Sequence, residues 1–395
     1  MYKVRTFNQI AVKGLDRFSR DRFEVGSEIP DPHAILLRSE KLTEEHLTPN
    51  LRAVARAGAG VNNIPVQAFT DAGIVVFNTP GANANSVKEL VMAALLISAR
   101  NLLDGVNFSN SLSDLDDQEV LHRRVESQKK HFKGREIYGK TLGVVGLGAI
   151  GSLVARAALD MGMDVLGYDP AISVDAAWRL PSEVQRMENL PSLFARSDFV
   201  TLHVPLLEST RGFINAESLK FFKPNAILLN FARQDLVEET ALSDALQGGK
   251  LAGYFSDFPS TELRGLDRVV STPHLGASTG EAEENCAIMA ADQLINFLKN
   301  GNIQNSVNFP MVILERNAGA RLAVTNRNVP AVLGEIMAVL AERKINVIDL
   351  LNKSRDDVAY NLIDVDGSIS GETGKDILAQ INAIEPVINV RVFED

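Results

Sequence analysis

Cysteine is almost absent from this sequence: Cys286 is the only one in 395 residues. No intrachain disulfide can form, which excludes a disulfide-stapled secreted scaffold and points to a reducing compartment. Cys286 falls in the apolar-periodic stretch 282–298, so it reads as a buried structural thiol. Long apolar runs are missing as well. No window approaches the roughly 18 apolar residues of a membrane span. The first ten residues carry Lys3 and Arg5 but no apolar stretch of a signal peptide. The expected location is the cytoplasm, with no membrane partner. Positive charge is in deficit, with 40 Lys and Arg against 50 Asp and Glu and a net charge of −10. That balance argues against nucleic acid as a partner. An anionic ligand would need local arginines, lysines or helix N-termini to overcome the global field. No metal site is expected.

Apolar residues, by contrast, are ample. Hydrophobic content is 45% and charged content 23%, and the length calls for two or three domains. Up to about residue 98, short apolar strands such as 34–38, Ala53–Arg56 and 74–77 alternate with helical patterns. Such alternation implies βαβ units and a parallel sheet. Stretch 86–103 is helical, with Val87, Leu90, Val91, Ala94 and Leu95 on one face. Segment 104–138 is acidic, then basic (Arg123, Arg124, Lys129, Lys130, Lys133, Arg135), and reads as a solvated helix and loop rather than a phosphate-binding arm.

Residues 140–273 read as a second α/β unit, with buried strands at Thr141–Val145, Asp164–Tyr168, 199–203, Ala226–Asn230 and 254–257. The helix Gly280–Asn300 then returns the chain to the first unit. After a linker around 315–319 comes a terminal module with the order βαββαβ, a ferredoxin-like arrangement. Its expected elements are strand 322–325, helix 331–343, strands 347–351 and Val358–Val365, helix 377–384 and strand Val387–Phe393.

The run from Thr141 through Gly146-Leu-Gly148-Ala149-Ile150-Gly151 is a strand, a tight turn and a helix start. The first glycine permits the turn, the second lets backbone approach a pyrophosphate, and the third allows close packing of helix on strand. Phosphates then meet unpaired N–H groups at the positive end of the helix dipole. Asp169 ends the second strand, where it would accept hydrogen bonds from ribose hydroxyls and repel a 2′-phosphate, selecting NAD over NADP.

Further blocks carry a resemblance. Gly58-Ala59-Gly60-Val-Asn-Asn-Ile, Asn78-Thr-Pro-Gly81, the glycine fingerprint, His203-Val-Pro205, Asn230-Phe231-Ala232-Arg233, Leu251-Ala-Gly253 and Thr272-Pro-His274-Leu-Gly276 resemble the D-2-hydroxyacid dehydrogenases in order and spacing. The resemblance implies a Rossmann domain (98–277) inserted in a flavodoxin-like substrate domain (1–97 and 278–310). It also implies further cofactor contacts from His203, Pro205, Phe231, Ala232, Asp257, Gly276 and Ala277. Three residues would carry the chemistry. Arg233 would clamp the 2-oxo acid through its planar fork of donors. His274 would exchange a proton with the substrate oxygen. Glu262 would hydrogen-bond the other imidazole nitrogen, fix its tautomer and raise its pKa. Arg38 and the backbone of Gly58, Ala59 and Gly60 would bind the anionic substrate.

The sequence departs from the family pattern in places. Gln234 follows Arg233 where Gly is usual, and a side chain there is expected to crowd the turn. Tyr254-Phe-Ser-Asp257 is bulkier than the usual strand, and Asp257-Phe-Pro-Ser-Thr-Glu262-Leu replaces Asp-Val-Phe followed by Glu-Pro. The module at 320–395 resembles an ACT domain through Asn326-Arg-Asn328-Val-Pro330, with Asn326 in place of the usual His and Ala331 in place of Gly. It implies an L-serine effector held by Asn326, Asn328 and Asn346, and a homo-oligomer, with a tetramer favoured. The expected reaction is NAD-dependent oxidation of D-3-phosphoglycerate to 3-phosphohydroxypyruvate, the first step towards L-serine. The alternatives are reduction of glyoxylate or hydroxypyruvate, or a non-catalytic NAD-sensing regulator on the same fold.

Overall fold

The computed structural model describes residues 1–317 and 319–394. Residue 395, the end of the expected terminal module, and residue 318 of the expected linker lie outside the described residues. The chain divides into two compact units, Met1–Asn83 with Gly280–Asp395, and Ala84–Thr279.

In the first unit, β1 (Tyr2–Thr6), β2 (Phe23–Gly26), β3 (Ala34–Leu37), β4 (Ala53–Arg56) and β5 (Val75–Phe77) form a parallel sheet ordered β2-β1-β3-β4-β5. The central strands β3 and β4 are buried on both faces, which explains their unbroken apolar runs. Helix Gly280–Asn300 turns Ala287, Ala290, Ala291, Leu294 and Phe297 into the core on one side of this sheet. Cys286 is buried in that core, and burial raises its thiol pKa.

A terminal sheet belongs to the same unit. In this chain β13 (Ala320–Arg327), β14 (Val347–Arg355), β15 (Val358–Val365) and β16 (Val387–Phe393) pair antiparallel in the order β14-β15-β13-β16. Alternation along these strands splits their side chains. Leu322, Val324, Ile363 and Val365 meet Ile336, Leu340, Ile377 and Ile381 of the two module helices. Ala323, Tyr360, Leu362 and Phe393 join Phe297 and Phe309 in the first core. Arg321 and Asp364, 1% and 3% exposed, form a buried two-pronged ion pair (2.5 and 2.8 Å) beneath the sheet.

The second unit is built on β6 (Thr141–Val145), β7 (Asp164–Tyr168), β8 (Gln185–Arg186), β9 (Phe199–Leu202), β10 (Ala226–Asn230), β11 (Leu251–Ser256) and β12 (Val269–Ser271). These seven strands are parallel and ordered β12-β11-β10-β9-β6-β7-β8. Each face has its own core: Leu142, Val144, Ile227 and Leu229 point to one, Val145, Ala226 and Leu228 to the other. The strand order reverses between β6 and β9, and that switch point is where open α/β sheets bind ligands.

Several elements differ from expectation, among them β13, which extends two residues beyond each end of 322–325, and β14, which runs four residues past 351. The helix expected over 86–103 ends at Arg100, because Asn101 adopts a left-handed conformation (φ 47°), and a new helix runs Leu102–Asn110. β11 starts three residues early, across Gly253, a residue that weakens a strand pattern. The last module helix spans Gly371–Asn382 rather than 377–384, since two glycines disguise its first turn. No helix of the described residues is long and apolar enough to cross a membrane.

Candidate active site

The glycine turn sits at the switch point. Gly146 has φ 91°, and a Cβ there would lie 2.6 Å from the His203 carbonyl oxygen, across the gap between β6 and β9. A Cβ on Gly151 would sit 1.9 Å from the Gly146 carbonyl, so only glycine lets the helix Ala149–Asp160 start against its own turn. Gly148, by contrast, faces open space, with nothing within 4 Å of a built Cβ. This is a cradle of backbone at a helix start, and it fits a dinucleotide pyrophosphate. Asp169 is half-buried beside it. One carboxylate oxygen accepts from the Leu147 N–H (2.8 Å) and the other from Ala171 N–H (3.0 Å), which orients the group and leaves lone pairs for ribose hydroxyls.

His203 follows β9. Its Nε2 meets Thr201 Oγ1 at 2.9 Å, and its buried Nδ1 has no partner among the described residues. Burial pushes its pKa down to about 3, so the ring is neutral at physiological pH. Pro205 and Ala232 are also placed on loops after β9 and β10, whereas Phe231 is 8% exposed and packs in the core.

Arg233 lies just past β10. The fully buried Asn230 shapes the turn: its amide nitrogen donates to the Arg233 carbonyl (2.8 Å) and the Tyr254 hydroxyl (3.2 Å), and its oxygen accepts from Ala232 N–H (3.2 Å). The bulk of Tyr254 thus has a structural use, a hydroxyl pinned beneath the arginine turn. Burial raises the pKa of that hydroxyl, so it stays protonated. The Arg233 side chain is exposed and contacts only the Ala232 carbonyl (2.6 Å); no acidic group pairs with it among the described residues. Gln234 is not at positive φ. It opens a short 3₁₀ turn, Gln234–Leu236, so glycine is not required there and the expected crowding does not occur.

His274 is exposed and has φ 59°, an uncommon conformation for a side-chain-bearing residue. Asp257 explains it. The Asp257 carbonyl accepts from His274 N–H (3.0 Å). Its 1%-exposed carboxylate accepts from Thr272 Oγ1 (2.6 Å), Leu275 N–H (2.7 Å) and Gly276 N–H (2.7 Å). Asp257, expected as a cofactor contact, spends both oxygens on the loop that carries the histidine. Gly276 is buried and tight, with a built Cβ only 3.0 Å from the Asp257 carboxylate. Ala277 is half-buried beside it. The Phe258 ring stands edge-on to the His274 imidazole at 5.2 Å.

Glu262 is on the same sheet edge but does not contact His274 here. Its Oε1 accepts from Thr240 Oγ1 at 2.7 Å. Sequence reading also missed a cluster next to it: Ser260 Oγ donates to Glu239 Oε2 (2.5 Å), and Gln234 Nε2 donates to Glu239 Oε1 (2.8 Å). Because β6, β9, β10, β11 and β12 are parallel, the glycine turn, His203, Arg233, Glu262 and His274 all follow strands on the C-terminal edge of one sheet. No group of His, Cys, Asp and Glu among the described residues is arranged to hold a metal ion.

The expected substrate contacts lie in the first unit. Carbonyls of the loop after β4 are all engaged: Gly58 by Thr79 N–H (3.0 Å), Ala59 by the Asn78 amide (2.6 Å) and Gly60 by Arg56 Nη1 (2.6 Å). Gly58 N–H donates to the Arg56 carbonyl, whereas the N–H groups of Ala59 and Gly60 have no acceptor among the described residues. Arg56 was not anticipated, though a built Cβ on Gly58 would strike it at 2.8 Å. Arg38 pairs with Glu283 at 2.7 Å, both partly exposed. In the module, Asn326 and Asn328 line a pocket of about 150 Å³ with Asn352 and Asn361, while Asn346 is exposed elsewhere. Asn326 is buried and accepts from the Asn361 amide at 2.8 Å.

Comparison with known proteins adds to this geometry. Residues 106–276 match the family model "D-isomer specific 2-hydroxyacid dehydrogenase, NAD binding domain". A D-3-phosphoglycerate dehydrogenase of Methanocaldococcus jannaschii is 36% identical over 83% of this chain; the chain spans only 61% of that relative's length. A D-3-phosphoglycerate dehydrogenase of Haemophilus influenzae is 34% identical, covering 94% of this chain and 89% of the relative. A hydroxypyruvate reductase of Thermotoga maritima is 38% identical, covering 70% of this chain and 89% of the relative. Among solved structures, the NAD⁺-bound 3-phosphoglycerate dehydrogenase of Entamoeba histolytica superposes with a TM-score of 0.61 at 26% identity, over 79% of this chain and 99% of that one.

Proposed function

The chain belongs to the D-isomer-specific 2-hydroxyacid dehydrogenase family, and from that premise we propose that it oxidises D-3-phosphoglycerate to 3-phosphohydroxypyruvate in the cytoplasm, feeding L-serine synthesis. Gly146, Gly148 and Gly151 would cradle NAD with Asp169 at the ribose, and the cofactor would supply the hydride acceptor. The remaining work falls to the protein. His274 takes the proton from the substrate hydroxyl. Glu262, which accepts from Thr240 in this structure, would turn to the imidazole, stabilise the imidazolium that forms and fix the ring's tautomer. Arg233, whose guanidinium has no acidic partner among the described residues, clamps the carboxylate and polarises the oxygen at C2. Within the first unit, Arg38 and the N–H groups of Ala59 and Gly60 are donors of the kind that an anionic substrate takes.

The observation that carries this reading is the gathering of the glycine turn, an arginine with no acidic partner among the described residues and a conformationally constrained histidine along one edge of one sheet. The test is His274→Ala. Turnover falls by at least about a hundredfold, as expected for a lost general base, while the NAD dissociation constant changes little. Equal losses in both would remove the base role. The Thermotoga relative favours a second reading, reduction of hydroxypyruvate. The terminal module weighs against it: the Haemophilus relative aligns over 94% of this chain. The βαββαβ order and the Asn-lined pocket support an ACT module that binds L-serine, and module pairing supports a tetramer. Inhibition by millimolar L-serine, absent in Asn326→Ala, tests the first; sedimentation tests the second.

A further inference from the structure

We infer that Glu239 is a positioning residue that sets the placement of Glu262, and that Gln234 ties the arginine turn into the same assembly. This inference rests on the reading of Glu262 as the partner of His274.

Glu239 opens the helix Glu239–Gln247, where a carboxylate is favoured by the helix dipole. Its two oxygens reach in different directions. Oε1 accepts from Gln234 Nε2 at 2.8 Å, one residue beyond Arg233, and Oε2 accepts from Ser260 Oγ at 2.5 Å. Ser260 is 8% exposed, and its oxygen in turn accepts from the N–H groups of Glu262 (3.1 Å) and Leu263 (3.4 Å). The Ser260 hydroxyl therefore has one orientation available. Its proton goes to Glu239, and its lone pairs cap the backbone from which Glu262 projects. Thr240, the next residue, holds the Glu262 carboxylate itself at 2.7 Å. Two consecutive residues of one helix start thus bear on Glu262, Glu239 through Ser260 on its backbone and Thr240 directly on its side chain. The same carboxylate reaches back to the turn carrying Arg233.

An acidic residue that merely completes a helix start would need neither a buried serine partner nor a bridge between two loops. A charge-assisted bond to a buried hydroxyl is strong and directional. Replacing Glu239 by glutamine keeps the size but puts an NH₂ against one of two donors. The glutamine that stands where the family has glycine supplies one of those donors, so this bridge is a property of this chain.

The experiment is a double-mutant cycle on the full chain, measuring kcat, KM and the pH profile of oxidation for Glu239→Gln, Glu262→Gln and both together. A carboxylate beside a general base favours the base's charged form and moves the acid limb of the rate profile to higher pH. Glu239→Gln lowers kcat roughly tenfold, a loss typical of misplaced reacting groups, with KM for NAD unchanged. It also shifts the rise of kcat to lower pH, in the direction of Glu262→Gln. In the Glu262→Gln background, Glu239→Gln lowers kcat much less, because most of its effect runs through Glu262. An equal loss in both backgrounds, or an unmoved pH midpoint, marks Glu239 as structural and overturns the inference alone. If Glu262→Gln leaves kcat and the pH midpoint unchanged, the underlying reading of Glu262 fails, and the inference with it.

Discussion

Asp257→Asn is the most informative single-atom change outside the reacting groups. The aspartate is buried and accepts three hydrogen bonds from the 272–276 loop, at 2.6, 2.7 and 2.7 Å. Asparagine retains only one acceptor oxygen. Directed at Thr272 and Leu275, that oxygen leaves an NH₂ facing the Gly276 N–H, donor against donor. The change removes one bond to a charged acceptor, worth about 1.5–3 kcal/mol, and strands a buried N–H at a further 1–3 kcal/mol or so. A loss of about 2.5–6 kcal/mol follows, which for a unit of this size lowers the melting temperature by roughly 10 °C. The loop also carries His274, whose left-handed backbone is held by the Asp257 carbonyl, so kcat falls with stability. Circular dichroism melts of both proteins measure the first effect. A shift below about 2 °C would refute the claim that Asp257 is spent on clamping this loop.

Other predictions follow from single features. Ala331 stands at φ 77°, so Ala331→Gly should raise stability by about 0.5–1 kcal/mol; a lower melting temperature contradicts it. Arg321→Met leaves Asp364 buried without its partner and costs about 3–5 kcal/mol, measured as a lower urea midpoint. An unchanged midpoint would mean that the pair is not buried as described. Burial pushes the Asp198 carboxyl up, but the Lys223 ammonium (2.6 Å) and Thr141 N–H (3.0 Å) outweigh it and hold its pKa below the usual value. Its stabilisation is therefore full above the unfolded pKa of about 4 and is lost as pH falls through the lower folded value. Asp198→Asn should flatten the acid limb of stability, and equal slopes below pH ~4 would count against this.

Local features were the most legible in the sequence. The glycine fingerprint predicts a turn that the φ of Gly146 and the contact at Gly151 reproduce, because turn chemistry depends on adjacent residues. Strands such as Thr141–Val145 and Val358–Val365, and the helix Gly280–Asn300, have their expected bounds since their hydrophobic patterns are uninterrupted. What stayed hidden depends on residues distant in sequence. Nothing near Asp257 announces that its carboxylate faces amides at 275 and 276. Nor does the sequence around Glu262 reveal that Thr240 and Ser260 hold it. Gln234 and Ala331 form a complementary pair: both occupy places where the family has glycine, yet only Ala331 has positive φ. Composition cannot distinguish a glycine kept for its backbone from one that is dispensable.

The central claim is the oxidation itself, and NADH formation by the purified protein tests it most directly. With NAD present, D-3-phosphoglycerate, D-glycerate and D-lactate are each offered, and absorbance of NADH is followed. NADH accumulating with D-3-phosphoglycerate at a kcat/KM well above that for either unphosphorylated acid is the predicted result. No NADH above the enzyme-free rate, or a preference for D-glycerate, contradicts it.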